Sequence, residues 1–222
     1  MTRRYVASDR IEDYVLAHAR ESKAASRLRE ETAKLPEAGM QIGADQAAFL
    51  ALLVRSIGAK RCLEVGTFTG YSALAIASAL PIEGRLVCCD INANWTAIAR
   101  RHWSAAGVSG RIDLRLAPAI DTLNSLLVRG GAGQYDFVFI DADKENSPEY
   151  FLLARKLCRP GAMIIVDNVI RHGTLADPAA DDDQTLGNRR LHALLKADDT
   201  VQATTLQTVG HKGWDGFTIA VV

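Results

Sequence analysis

The chain has 222 residues, 48% of them apolar and 23% charged, which suits one globular domain with a core of its own. Lys and Arg total 26 and Asp and Glu total 26, so the formal net charge is zero, and neither nucleic acid nor an anionic membrane is the expected partner. No apolar run approaches the roughly 20 residues that cross a bilayer, and the opening MTRRYVASDR lacks the apolar centre of a signal peptide, so the expected location is the cytoplasm.

Asp9 and Glu12 match a capping box, and Ile11, Tyr14, Val15 and His18 fall on one face, which predicts a first helix from Asp9 toward Arg29. A loop over 35–43 follows, then a helix over 45–57 with Phe49, Leu52, Leu53 and Ser56 in helical register. From Arg61 short apolar runs alternate with helical periodicity. Strands are expected over 62–65, 85–90, 112–116, 135–140 and 162–166, and helices over 71–80, 95–106, 120–129, 148–157 and 184–197. Two further strands, 201–209 and 216–222, joined by a turn-rich 211–215, read as an antiparallel pair at one end of the sheet. Five successive βα units imply an α/β fold, a Rossmann-like, doubly wound, mostly parallel seven-stranded sheet closed by that C-terminal antiparallel pair. Near-continuous apolar strands, FVFI at 137–140 and MIIV at 163–166, agree with a sheet buried on both faces. Cys62, Cys88, Cys89 and Cys158 lie in apolar runs without C-x-x-C spacing and read as small buried hydrophobes in a reducing compartment. The span 1–222 reads as a single domain in which 1–40 forms an N-terminal helical cap.

Ligands of such folds sit beyond the carboxyl ends of the strands, so the residues that follow each strand carry the chemistry. After the first strand, E-V-G-T-F-T-G-Y-S at 64–72 is a G-x-x-x-G turn, neither the dinucleotide fingerprint nor a phosphate loop. Glu64 places a charge in an apolar strand end, where it needs a partner, unless it is incidental to a tight turn. Asp90 lies 20 residues past Gly70, where an acid accepts hydrogen bonds from a ribose or caps a helix. The two features together favour a nucleoside ligand without phosphates. Ala119, after the third strand, lines an adenine ring or simply starts a helix.

Asp141, Ala142, Asp143 and Lys144 follow the fourth strand, and Asp167 and Asn168 the fifth. Parallel neighbours lie about 4.8 Å apart. Asp141, Asp167 and Asn168 can therefore share one hard cation, an all-oxygen set that suits Mg²⁺, Mn²⁺ or Ca²⁺. Successive strand residues face opposite ways, so Asp167 and Asn168 reach one ion only if the strand has ended there. The alternative is a set of separate helix caps and Asx-turns. Lys144 beside a cation would favour its neutral amine, a base, or else it is a solvated lysine.

These segments together resemble the cation-dependent O-methyltransferases, the group of catechol and caffeoyl-CoA O-methyltransferases, and more narrowly its bacterial family 3 members. The likeness runs from about Gly39 to the end of the chain. It is carried by Met40-Gln41-Ile42, by the 64–72 turn, by Trp95-Thr96-Ala97-Ile98-Ala99, by Phe139-Ile140-Asp141-Ala142-Asp143-Lys144, by Val166-Asp167-Asn168-Val169 and by Asp215-Gly216. The resemblance implies one class I methyltransferase-like domain with S-adenosylmethionine as cofactor. By position, Glu64, Gly66, Tyr71 and Ser72 would lie along its amino-acid end, Asp90 would hold the ribose, Ala119 would touch the adenine and Met40 would sit near the sulfonium. Thr67, Ile91 and Asp141 complete the implied cofactor-binding set. Asp141, Asp167 and Asn168 would bind a divalent cation, usually Mg²⁺, Asp141 would also lie beside the cofactor, and Lys144 matches the family's catalytic lysine, with Asp141 the other member of the implied catalytic set. The implied acceptor is a phenolic, catechol-like small molecule, and the implied assembly a homodimer.

The sequence departs from the family pattern at Val169-Ile170-Arg171-His172-Gly173, where relatives commonly carry Trp-Gly, and at Ser147-Pro148, where many place a Tyr. It also lacks the usual glycine at Leu116-Ala117-Pro118 and inserts Lys212-Gly213-Trp214 before Asp215. These differences bear on the acceptor; Arg171 and His172 either meet an anionic acceptor or lie on the surface. A nicotinamide-dependent dehydrogenase would need G-x-G-x-x-G where the chain has G-T-F-T-G. A non-catalytic S-adenosylmethionine-binding protein is the other rival, and the intact Asp141, Lys144, Asp167 and Asn168 argue against it.

Overall fold

The structure, a computed structural model, describes residues 9–210 and 213–222. The opening residues 1–8, which carry most of the signal-peptide argument, and His211 and Lys212 of the expected turn lie outside the described residues.

Among the described residues three α-helices, α1 (Asp9–His18), α2 (Lys23–Thr32) and α3 (Ala44–Ser56), precede the sheet. Strands β1 (Arg61–Val65), β2 (Arg85–Asp90), β3 (Ile112–Leu116), β4 (Tyr135–Ile140) and β5 (Cys158–Val166) then alternate with α4 (Tyr71–Ala79), α5 (Ala93–Ala105), α6 (Ala119–Val128) and α7 (Ser147–Leu157). Helix α8 (Asp183–Ala197) leads into β6 (Gln202–Gly210) and β7 (Gly213–Val221). The seven strands lie in the order β3-β2-β1-β4-β5-β7-β6. The first five pair in parallel, and β7 runs against both β5 and β6. Strand order reverses between β1 and β4, which fixes the switch point there.

Alternation along the strands builds two cores. Cys62, Cys88, Phe137 and Phe139 face α2–α5, whereas Leu63, Val65, Val138 and Ile140 face α6–α8. Each fully buried Phe or Leu contributes on the order of 1.5–3 kcal/mol, so both faces hold the sheet. All four cysteines are free and buried. Among the described residues no helix is long and apolar enough to cross a membrane.

The expected single helix from Asp9 to Arg29 is instead two. The chain breaks after His18, and Ser22 caps α2 by accepting from Ala25 N at 3.1 Å. Helix α1 buries none of its residues, and Ile11, Tyr14 and Val15 are exposed. In α3 the buried face is Ala47, Leu50 and Val54, while Leu52 is exposed. Strand β5 begins earlier than its apolar run and β7 starts at Gly213, because pairing with β4 and β6 extends both ladders past the apolar segment.

Candidate functional site at the switch point

The exits of β1, β2, β4 and β5 form one rim. Gly66 leaves β1 at φ +91°, and a Cβ there would stand 2.3 Å from the carbonyl oxygen of Asp141. Only glycine lets the first turn come this close to the end of β4. Asp90, ending β2, binds this turn: its Oδ2 accepts from Thr67 N at 3.0 Å and Phe68 N at 2.8 Å, and its Oδ1 from Asn92 N at 2.8 Å. Ala117 N donates to Asp90 O at 3.1 Å, which brings the end of β3 and half-buried Ala119 alongside. Thr67 and Ser72 are buried, and Met40 and Ile91 are exposed.

Glu64 is fully buried, and among the described residues neither carboxylate oxygen has a hydrogen-bond partner. Burial pushes its carboxyl up to about 8; Ser72, Thr67 and Cys88 lie near enough to temper the rise without closing a hydrogen bond. A buried carboxyl without a partner is costly and suits a cationic group from outside.

Tyr71 turns its hydroxyl to the N-terminal segment. Its Oη donates to Glu21 Oε1, and Arg29 of α2 grips the same carboxylate through Nε and Nη2, both at 2.8 Å. Burial and then Glu21 raise the Tyr71 phenol; burial would raise Glu21 too, but Arg29 and Tyr71 bring it below its ordinary value. A second bond, Thr32 Oγ1 to Thr69 Oγ1 at 2.8 Å, is fully buried. The N-terminal segment thus holds the glycine turn at two points.

Asp141 N donates to Val65 O at 2.7 Å and Asp167 N to Ile140 O at 2.9 Å, so the two acids follow adjacent strands at the same level. Lys144 Nζ donates to Asp141 Oδ1 at 2.8 Å. Asp167 accepts from Gln46 Nε2 of α3 at 2.7 Å and from Asn168 N at 2.9 Å. Burial, then the charge of Asp141, raises the Asp167 carboxyl well above its ordinary value, with Lys144 opposing. Strand β5 has ended at Val166 and Asn168 has φ +53°, so the chain is already turning and the two side chains are free of strand alternation. Two carboxylates against one ammonium leave excess negative charge in a buried rim. With the Asn168 amide they form an oxygen-only donor set that fits Mg²⁺ or Mn²⁺.

Gln46, Glu21 and Asp215 also belong to this arrangement, and sequence reasoning assigned none of them a role. Asp215 alone carried a signal, in its Asp-Gly pair. Arg171 turns its guanidinium to Asp182 and Gln184 at the start of α8, and His172 is exposed.

A family model described as O-methyltransferase matches residues 16–220. A catechol O-methyltransferase of Niastella koreensis is 42% identical over 194 residues, 86% of this chain and 87% of that protein. One from Mycobacterium tuberculosis is 40% identical over 199 residues, 90% of this chain and 87% of that protein. Among solved structures, the O-methyltransferase TomG from Streptomyces achromogenes in complex with SAM superposes with a TM-score of 0.90 at 39% identity, covering 96% of both chains.

Proposed function

The chain belongs to this O-methyltransferase family, and from that premise we propose that it is an S-adenosylmethionine- and divalent-cation-dependent enzyme that methylates a hydroxyl of a phenolic, catechol-like small molecule. The observation that carries the reading is the pairing of Asp141 and Asp167 at the ends of neighbouring strands, with Lys144 on Asp141 and the Gly66 turn against the same residue.

In this reading Glu64 receives the cofactor's ammonium group and Asp90 accepts from its ribose hydroxyls. Gly66, Thr67, Tyr71 and Ser72 shape the amino-acid end, Tyr71 through its buried ring, and Met40, Ile91, Ala119 and Asp141 line the remainder. The cofactor supplies a methyl group on a sulfonium. Asp141, Asp167 and Asn168 would hold the cation, which when bound would supply Lewis acidity to the acceptor's oxygens. Lys144, whose Nζ donates to Asp141, would take the acceptor's proton as its neutral amine, the form that a cation held beside it would favour, and become the ammonium. Alignment of the oxygen with the methyl carbon comes from the rigid rim.

The reading extends to a cytoplasmic homodimer of one-domain subunits with residues 1–40 as a cap; the exposed Ile11, Tyr14 and Val15 of α1 support a covering partner. The test is a methyl-transfer assay over a panel of phenols, with and without Mg²⁺ after chelation. Methylated catechol that forms only with the cation is expected. Full activity after exhaustive chelation overturns the cation dependence, and cofactor binding without turnover on any acceptor favours a non-catalytic binding protein.

A further inference from the structure

Asp215, the third residue of β7, lies beyond the end of β5 and bonds to the turn that follows that strand. Its Oδ1 accepts from the backbone N–H groups of Ile170, Arg171 and Gly216 at 3.0, 2.9 and 2.8 Å. Its Oδ2 accepts from Asn168 Nδ2 at 3.1 Å. These bonds fall on a stretch in which Asn168, Arg171 and His172 have φ of 53°, 51° and 55°, a conformation that residues other than glycine keep only when their surroundings hold them there. The corner is also packed. Val169 N donates to Gly216 O at 3.0 Å, and a Cβ on Gly216 would stand 2.4 Å from Leu206 O. From the other side, buried Asn188 of α8 donates through Nδ2 to Asn168 O at 2.9 Å.

We infer that Asp215 is a positioning residue: its carboxylate fixes which end of the Asn168 amide meets the cation and holds the 168–172 turn in shape. A carboxylate only accepts hydrogen bonds, so the edge of the amide that meets it must be the N–H₂ edge. The Asn168 oxygen is thereby turned away from Asp215 and freed to act as a ligand. This rests on the cation reading given above. Partners of metal ligands orient them in this way, and their removal typically weakens metal binding by about 10–100-fold.

The test exchanges the pair. With Asp215→Asn, the new amide oxygen stays on the three backbone N–H groups and its N–H₂ faces Asn168. The Asn168 amide must then flip and offer nitrogen to the cation. Adding Asn168→Asp restores an acceptor opposite that donor and leaves a second oxygen for the ion, with the same total charge as the wild type. Mn²⁺ binding by the full chain is followed by electron paramagnetic resonance, cofactor binding by calorimetry and folding by thermal melting. Asp215→Asn is expected to lose about 10–100-fold in Mn²⁺ affinity with cofactor affinity unchanged, and the double exchange to regain most of it. Wild-type Mn²⁺ affinity in Asp215→Asn overturns the inference. So does a parallel fall in Mn²⁺ affinity, cofactor affinity and melting temperature, and so does a double exchange no better than the single.

If the wild type binds no Mn²⁺, the cation reading itself fails. The amide orientation is then decided by the Asn168 side-chain N–H₂ resonance of the wild type. Protection from exchange supports the inference, and free exchange overturns it.

Discussion

Lys144 Nζ stands 2.8 Å from Asp141 Oδ1, three residues apart on one turn, and the lysine is only 6% exposed. An ammonium enclosed in this way is held by Asp141 and shielded from solvent. Lys144→Ala is expected to leave cofactor affinity nearly intact and to lower kcat by about 10²–10⁴, the usual span for a lost general base. Steady-state kinetics beside calorimetry with the cofactor checks it, and an unchanged kcat removes Lys144 from the chemistry.

Asp167 is buried with Gln46 as its side-chain donor. Asp167→Ala and Asp141→Ala are each expected to abolish both Mn²⁺ binding and turnover. Calorimetric titration with Mn²⁺ and the methyl-transfer assay read the two effects separately. Turnover retained in either variant speaks against a shared ion.

Glu64 titrates near 8 in the folded chain against an ordinary 4.5. The folded state therefore keeps a proton that the unfolded chain releases. Its contribution to stability is fully present below about pH 4.5 and is lost as pH rises through about 8. Glu64→Gln should flatten the decline in melting temperature of the ligand-free protein across that window and weaken cofactor binding. In the wild type near neutral pH, cofactor binding should release protons to buffer, seen as a dependence of the calorimetric enthalpy on the buffer's ionisation heat. A variant with the wild-type pH profile refutes the assignment.

Glu21 bridges Arg29 and Tyr71 across 50 residues of sequence. Glu21→Gln and Tyr71→Phe should each weaken cofactor binding. Because the two groups touch, a double-mutant cycle on cofactor affinity should give a coupling of about 0.5–3 kcal/mol. Additive effects would mean that the N-terminal segment is not linked to the glycine turn.

Gly66→Ala forces a side chain against the Asp141 carbonyl at a φ of +91°. The backbone conformation alone costs about 1–3 kcal/mol. Lower thermal stability and loss of cofactor binding are expected together. A folded Gly66→Ala protein with wild-type cofactor affinity would show that the close approach is not required.

Much of this rim is legible in the sequence because a parallel sheet writes its site in a simple place. Asp90, Asp141 and Asp167 each stand where an apolar run stops and Glu64 one residue before such a stop, and the run fixes the strand. The contacts that orient them are not legible, since they join distant segments. Gln46 meets Asp167 across 121 residues, and Asn168 meets Asp215 across 47. Nothing in the periodicity of α3 distinguishes Gln46 from any other polar residue of that helix. The break between α1 and α2 had a local sign in Ser22 as a cap, but the amphipathic pattern of Ile11, Tyr14 and Val15 outweighed it, and that face is not buried in the chain alone. The family resemblance makes Tyr71 a cofactor residue, yet its hydroxyl answers to Glu21, a residue that no motif near the turn contains.

The reversed direction of β7 has a practical consequence. Because the strand enters the sheet beside the rim that carries Asp141 and Asp167, it leaves at the opposite pole, where Val222 is tied to Gly161 and Ala162 at the far end of β5. Residues joined to the sheet at that pole therefore stand a full strand length away from Asp141 and Asp167, so a fluorophore or surface linker placed there should leave cofactor affinity as it is in the unlabelled protein.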